Sequence, residues 1–156
     1  MKTELILVGK TNDKHFQAGI DDYCQRIGHY MPFSITVISE LKNTKSLSFQ
    51  QQKEREGEMI LAKLQSSDHV VLLDEHGKDF RSVEFARWIE HKNASVRRLV
   101  FVIGGPYGFS EAVYSRANEK ISLSKMTFSH QMVRLVFVEQ IYRACTIIKG
   151  EPYHHE

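Results

Sequence analysis

Short, uniformly apolar segments that alternate with helical patterns restrict the fold of this chain more than any other feature. The clearest lie at residues 4–8, 69–73 and 99–103. Uniformly apolar strands are typical of parallel sheets, which helices cover on both faces. Strands that alternate with helices build such a sheet from successive strand–helix–strand units. The sequence therefore predicts an α/β fold: a mostly parallel sheet with helices on both faces.

The remaining elements follow from periodicity and capping residues. Two further strands are predicted at residues 33–38 and 121–123. Five helices are predicted. Three begin after Asp13, Ser82 and Ser110, one spans residues 49–64, and the last runs from residue 129 to 149, where Gly150 ends it. With neither an internal repeat nor a linker, residues 1–156 are predicted to form one domain, long enough for a full hydrophobic core.

Composition excludes several classes of protein. A net charge of +2, with no block of like charge, permits a nucleic-acid partner without indicating one. No apolar run approaches the ~20 residues of a membrane helix, and the N-terminus lacks the layout of a signal peptide. Cys24 and Cys145 match no disulfide or zinc spacing. We expect a cytoplasmic protein with no membrane association and no metal.

Two loops after predicted strands are candidate ligand sites, because open α/β sheets bind ligands at the carboxyl ends of their strands. Gly104-Gly105-Pro106-Tyr107-Gly108 lets a ligand approach the backbone closely, although it matches no nucleotide-binding fingerprint. A plain strand-to-helix turn is the alternative. The segment 122–129 is the stronger candidate, since it places several hydroxyls and backbone groups before a helix. Residues 74–78 form a third such loop or a polar surface turn.

The chemistry-bearing residues lie in and beyond the last helix. His130 and Arg134 are four residues apart and share one helical face, next to the second loop. Glu139 and Arg143 have the same spacing, for which a structural ion pair is the better interpretation. The terminal Tyr153-His154 pair either frays, as chain ends do, or folds over a pocket.

The last helix is apolar around most of its circumference, which requires cover on two sides. A second copy of the chain would provide that cover and predicts a homodimer. The alternative is a helix buried in the core of a monomer.

Taken in order, these motifs resemble a known family. They are Leu-Asp-x-x-Gly-Lys at 73–78, Phe-Val-Ile-Gly-Gly-Pro-x-Gly at 101–108, Ser-Leu-Ser-Lys-Met-Thr-Phe at 122–128, His-Gln-Met-Val-Arg at 130–134, Glu-Gln-x-Tyr-Arg-Ala at 139–144 and the terminal Pro-Tyr-His. The whole chain is similar to the ribosomal large subunit methyltransferase H family of the SPOUT class. Each motif alone is weak, but their order and spacing are specific.

The resemblance implies a deep trefoil knot in the C-terminal part, an exception to the rule that chains do not knot. It implies a homodimer that uses S-adenosyl-L-methionine to methylate N3 of a pseudouridine in 23S rRNA, with the assembled ribosome as the expected substrate. Free rRNA and the separate subunit remain alternative substrates. The residues it places at the cofactor are Leu73, Gly105, Ser124, Lys125, Met126, Thr127, Phe128 and Ser129.

For the reaction, the hypothesis is that His154 or His130 assists loss of the N3 proton. Arg134 or Arg143 would stabilise the negative charge on the base, and Tyr153 would close over the cofactor or stack on the base.

Two departures from the family pattern matter. Ser129 stands where the family usually has proline, yet serine caps helices well. His155 replaces an arginine of some relatives and would hold phosphate less well near neutral pH.

Two other functions fit the same residues. A flavodoxin-like nucleotide or redox protein would use the same sheet and glycine loop, although the segment 124–129 follows the wrong strand for a first-loop phosphate site. A non-catalytic, ribosome-associated RNA-binding dimer would retain the pocket without activity.

Overall fold

The computed structural model describes residues 1–155, and these contain a five-stranded sheet whose strands all run parallel. The strands are β1 (Lys2–Val8), β2 (Phe33–Ile38), β3 (His69–Asp79), β4 (Arg98–Ile103) and β5 (Glu119–Ser122), in the spatial order β2-β1-β4-β3-β5. Since all strands run the same way, the loops that follow them gather at one edge of the sheet.

Helices cover both faces of the sheet, as the uniformly apolar strands predict. The helices are α1 (Lys14–Ile27), α2 (Phe49–Leu61), α3 (Ser82–Ser95), α4 (Glu111–Arg116) and α5 (His130–Lys149). On one face α1, α3 and α5 pack over a core that includes Phe101 and Phe137; on the other, α2 and α4 pack over Ile6 and Val102. The prediction of an α/β fold is confirmed.

The residues that begin and end the helices act as their types predict. The Asp13 side chain accepts hydrogen bonds from the first backbone N–H groups of α1, and Ser110 and Ser129 do the same for α4 and α5. Gly150 ends α5 in the left-handed conformation, with φ of 70°. Serine at position 129 therefore preserves the helix start that the family pattern places after a proline.

The structure differs most from the sequence prediction in β3, which continues through residues 74–78, predicted as a loop. After an irregularity that follows Leu73, Lys78 and Asp79 pair with Ile121 and Ser122 of β5. An added Cβ at Gly77 would lie 2.6 Å from backbone atoms of Ile121, so only glycine fits this close approach. The continuation depends on a partner strand over forty residues away.

Smaller differences lie at the ends of elements. Helix α2 ends at Leu61 rather than at residue 64, and β5 begins at Glu119 rather than at residue 121. A short 3₁₀ turn, Thr44–Ser46, occupies part of the segment predicted as a polar loop, and it follows Asn43, which has φ of 58°.

Helix α5 is largely covered within one protomer. Phe137, Ile141 and Ala144 are buried against the sheet, and the helix also contacts α1 and α3. Met132 and Ile148 keep more than a third of their surface exposed. Contacts within one protomer thus cover much of the apolar surface of α5, and the homodimer stays a prediction.

Cys24 and Cys145 are both free thiols, and burial raises the pKa of each to about 11, which makes them poor nucleophiles. Within residues 1–155, no three His, Cys, Asp or Glu side chains are arranged to hold a metal ion. None of the helices described in that range is long and apolar enough to cross a membrane.

Candidate active site

A cleft of about 490 Å³ lies where β3 separates from β4 and where β4 and β5 end. Its walls are residues 73–76 of β3, 103–109 after β4, and 122–124 with 126–128 after β5, together with Tyr114, His130 and Val133. The volume falls in the range of about 300–1,000 Å³ that is usual for small-molecule sites. Both loops that the sequence singled out therefore contribute to one cleft.

The predicted cofactor-binding residues are mostly brought together there. Leu73, Gly105, Ser124, Met126, Thr127 and Phe128 line the cleft. The loop after β5 is held in shape locally, since Ser124 Oγ accepts a hydrogen bond from the Met126 N–H at 2.9 Å. Lys125 and Ser129 are exposed and do not line the cleft; the side chain of Ser129 is occupied in capping α5.

A carboxylate that the sequence did not indicate supports one wall. Glu56 of α2 accepts a hydrogen bond from the Gly105 N–H at 3.1 Å. Burial raises the pKa of Glu56, although the bond from Gly105 opposes the rise. An added Cβ at Gly105 would lie 2.8 Å from the same carboxylate, so this side chain and the glycine fit closely. Nothing in the charged pattern of α2 distinguishes Glu56 from its neighbours.

Asp74 makes the wall formed by β3 acidic. Its carboxylate accepts hydrogen bonds from the Tyr114 hydroxyl and, at 2.8 Å, from the His76 N–H. Burial raises the pKa of Asp74, but these bonds and the nearby Lys120 outweigh that effect, so the pKa lies below its usual value. Burial and this contact in turn raise the pKa of Tyr114 to about 12. Asp74 is therefore ionised and Tyr114 neutral near pH 7.

His130 and Arg134 are not brought to the same site, despite their spacing. His130, in the first turn of α5, is exposed and lines the cleft. Arg134 is buried and turns toward the end of β1, where its guanidinium donates to the carbonyls of Val8 and Gly9 at 2.7 and 2.9 Å and to Thr11 Oγ1 at 3.0 Å. Its guanidinium is committed to structure within the protomer.

The other predicted catalytic residues form a separate tail cluster, which we define as Glu139, Arg143, Tyr153 and His154. Arg143 pairs with Glu139 at 2.6 Å, which confirms the predicted ion pair, and lies 4.8 Å from the centroid of the Tyr153 ring. The Tyr153 hydroxyl donates to Glu139 Oε1 at 3.0 Å. The C-terminal tail is thus folded onto α5 rather than frayed, but none of these four residues lines the cleft of its own protomer.

A hydrogen bond with Arg143 determines which ring nitrogen of a neutral His154 carries the proton. Arg143 Nη1 lies 3.0 Å from His154 Nδ1. Because a guanidinium only donates hydrogen bonds, Nδ1 accepts and a neutral His154 carries its proton on Nε2. Burial, Tyr23 and Glu139 together raise the pKa of Tyr153, so its hydroxyl stays protonated.

The all-parallel sheet and its cleft define an α/β protein that holds a small ligand in the loops at the ends of its strands. The chain belongs to the SPOUT methyltransferase family, since the family described as "Predicted SPOUT methyltransferase" matches residues 1–154. It is therefore a methyltransferase, and the flavodoxin-like alternative does not hold.

Individual relatives extend over the whole chain. A protein of Bacteroides fragilis named "Ribosomal RNA large subunit methyltransferase H" is 65% identical over all of both chains. Proteins of the same name from Phocaeicola vulgatus and Flavobacterium johnsoniae are 63% and 55% identical, again over the full length of both chains.

Proposed function

We propose that the protein transfers a methyl group from S-adenosyl-L-methionine to N3 of a pseudouridine in 23S rRNA, and that it acts as a homodimer on the assembled ribosome. The observation that carries the proposal is the cleft formed by the motif loops in a chain similar over its whole length to proteins named ribosomal RNA large subunit methyltransferase H.

The cleft fits S-adenosyl-L-methionine in size and chemistry. Leu73 and Phe128 offer apolar surface, while Ser124 and the loop backbone offer polar groups. The ionised Asp74 suits a ligand that carries positive charge. When bound, the cofactor supplies an electrophilic methyl group on a sulfonium, so the main task of the protein is to position the accepting base.

The two histidines are suited to different tasks. His130 faces the cleft, and its ring makes no hydrogen bond to another residue among 1–155, so it is available to accept the N3 proton. His154 presents an N–H from Nε2 because Arg143 occupies Nδ1. It is therefore suited to donate a hydrogen bond to the negative charge that develops on the base.

Within one protomer the tail cluster does not line the cleft, which supports the proposal that a second copy completes the site. In the proposed dimer each cleft, with its His130, receives His154 from the tail of the other subunit. Arg134 takes no direct part, because it is buried, does not line the cleft, and donates from Nη1 and Nη2 to the end of β1.

The experiment measures transfer of labelled methyl groups to ribosomes from a host that lacks this protein, with free 23S rRNA and separated subunits in parallel. Label on one pseudouridine supports the proposal, and the preferred particle identifies the substrate. No label on any particle from folded protein contradicts it. His130→Ala and His154→Ala should each lower the rate about 10²-fold or more and leave cofactor binding unchanged, whereas His29→Ala, an exposed control, should act as wild type.

Mixing the two inactive variants tests the shared site. If one protomer supplies His130 and the other His154, mixed dimers contain one intact site. Random re-association then restores about a quarter of wild-type activity, because half the dimers are mixed and each has one of two sites intact. If both residues act within one protomer, mixing restores nothing.

A further inference from the structure

Two exposed aromatic rings stack on each other at the edge of the cleft. Phe49, the first residue of α2, and Tyr107, in the loop after β4, have ring centroids 4.2 Å apart and planes 19° apart. Phe49 is 64% exposed and Tyr107 43% exposed. Large apolar side chains that stay this exposed, and adjoin each other, mark an interaction surface more often than an isolated exposed residue does.

The pair lies beside the reaction site. Tyr107 lines the cleft, whereas Phe49 does not line it and stacks on Tyr107. The turn that presents Tyr107 depends on Gly108, whose φ of 83° favours glycine. One ring face of Phe49 is used by Tyr107, and its exposure leaves the other face open to a further planar group.

Charge around the pair favours a nucleic acid over an apolar peptide. The segment that joins β2 to α2 carries Lys42 and Lys45, both exposed, between β2 and Phe49, and its one acidic residue is Glu40, next to the end of β2. This segment and the loop of Tyr107 both follow parallel strands, so they emerge at the same edge of the sheet. Flat aromatic faces beside positive charge are the usual means of binding single-stranded nucleic acid, in which bases stack and phosphates pair with Lys or Arg.

We infer that Phe49 and Tyr107 form a stacking surface for an unpaired base of the substrate RNA, next to the nucleotide that enters the cleft, with Lys42 and Lys45 holding the adjoining phosphates. The inference rests on the proposed function. An enzyme that acts on a base must draw it out of its stack, which leaves the neighbouring base without one stacking partner. The exposed face of Phe49 replaces that partner.

The test compares Phe49→Leu, which keeps apolar volume but loses the flat face, with Phe49→Trp, which keeps the face. Binding of unmethylated ribosomes and of fluorescein-labelled 23S rRNA fragments is measured, together with kcat/KM for methyl transfer and calorimetric binding of S-adenosyl-L-methionine. Phe49→Leu should weaken RNA binding and lower kcat/KM about 5- to 100-fold, while Phe49→Trp acts as wild type and cofactor affinity is unchanged in both. Val37→Ala, an exposed apolar residue on β2, is the matched control.

Unchanged RNA binding in Phe49→Leu would overturn the inference. If cofactor affinity falls in that variant while RNA binding is unchanged, the pair covers the cofactor instead. Failure of the proposed function is seen separately, as wild-type protein that methylates no particle. In that event the RNA-binding comparison still decides whether Phe49 stacks on a base.

Discussion

Replacing Arg134 by alanine should reduce stability, because its guanidinium links α5 to the end of β1. It donates hydrogen bonds to the buried carbonyls of Val8 and Gly9 and to the Thr11 hydroxyl. Burial lowers the pKa of Arg134, and the nearby Glu40 opposes that effect, but an arginine stays charged at any ordinary pH. The contacts are therefore charge-assisted at neutral pH.

The magnitude follows from what the substitution leaves behind. Two carbonyls lose a charged donor, and each buried acceptor left without a partner costs about 1–3 kcal/mol. The variant no longer has to bury a charged guanidinium, and this gain offsets part of the cost. We therefore expect the free energy of unfolding to fall by about 3 kcal/mol. For a chain of this length, that loss lowers Tm by about 6–12 °C. Arg134→Lys should be intermediate, since one ammonium cannot reproduce the fork of donors.

Urea unfolding at a fixed protein concentration measures the loss, because dimerisation would make stability depend on concentration. Arg55→Ala, at an exposed arginine of α2, should unfold as wild type does. Methyl transfer by the folded fraction of Arg134→Ala should keep its kcat. A variant that is as stable as wild type but has lost kcat would refute the reasoning and return Arg134 to the reaction site.

Three further substitutions test other contacts. Gly77→Ala should cost about 1–3 kcal/mol in urea unfolding, because its Cβ would press on the backbone of Ile121 and tight packing gives little room; an unchanged stability would contradict the close β3–β5 pairing. Glu56→Gln keeps an acceptor for Gly105 but cannot ionise. Because the pKa of Glu56 in the folded protein is raised from its ordinary value of 4.5, wild-type stability should fall relative to the variant as pH rises through the interval above 4.5, and a Tm difference constant with pH would contradict this. Arg143→Ala should lower methyl transfer by the folded fraction about 10²-fold and should also lower Tm, since only a quarter of this side chain is exposed and its loss leaves Glu139 unpaired; normal turnover would exclude Arg143 from the reaction.

Features set by neighbouring residues could be predicted from the sequence. The helix starts after Asp13 and Ser129 and the end at Gly150 depend on hydrogen bonds within a few residues. Uniformly apolar runs were enough to place the central strands, because strands buried on both faces have no polar side, whereas β2, at the edge of the sheet, was placed by its alternating pattern. The length of β3 could not be predicted, since residues 74–78 are polar and stay in the sheet only through pairing with β5.

The candidate site, too, could be predicted from the sequence only in part. Loops after parallel strands meet at one edge, so Gly105 and Ser124 could be assigned to a cleft before its shape was known. Tyr114 of α4 lines that cleft and Glu56 of α2 supports its wall through Gly105, and nothing near either residue in sequence distinguishes it. The spacing of His130 and Arg134 predicted a shared helical face but not the direction of a long side chain, which is decided by unpaired carbonyls of β1 over a hundred residues away.

The tail cluster changes the basis of the homodimer prediction. The apolar circumference of α5 is a weak argument, because contacts with α1 and α3 cover much of it. The proposed site provides a stronger one, since His154 is held by Arg143 with its proton on Nε2 yet does not line the cleft of its own protomer. The tail is bonded to α5 and presents the Nε2 N–H of His154, which suits the proposed role at the site of a second copy. The homodimer prediction therefore rests more on the proposed role of His154 than on the apolar surface of α5.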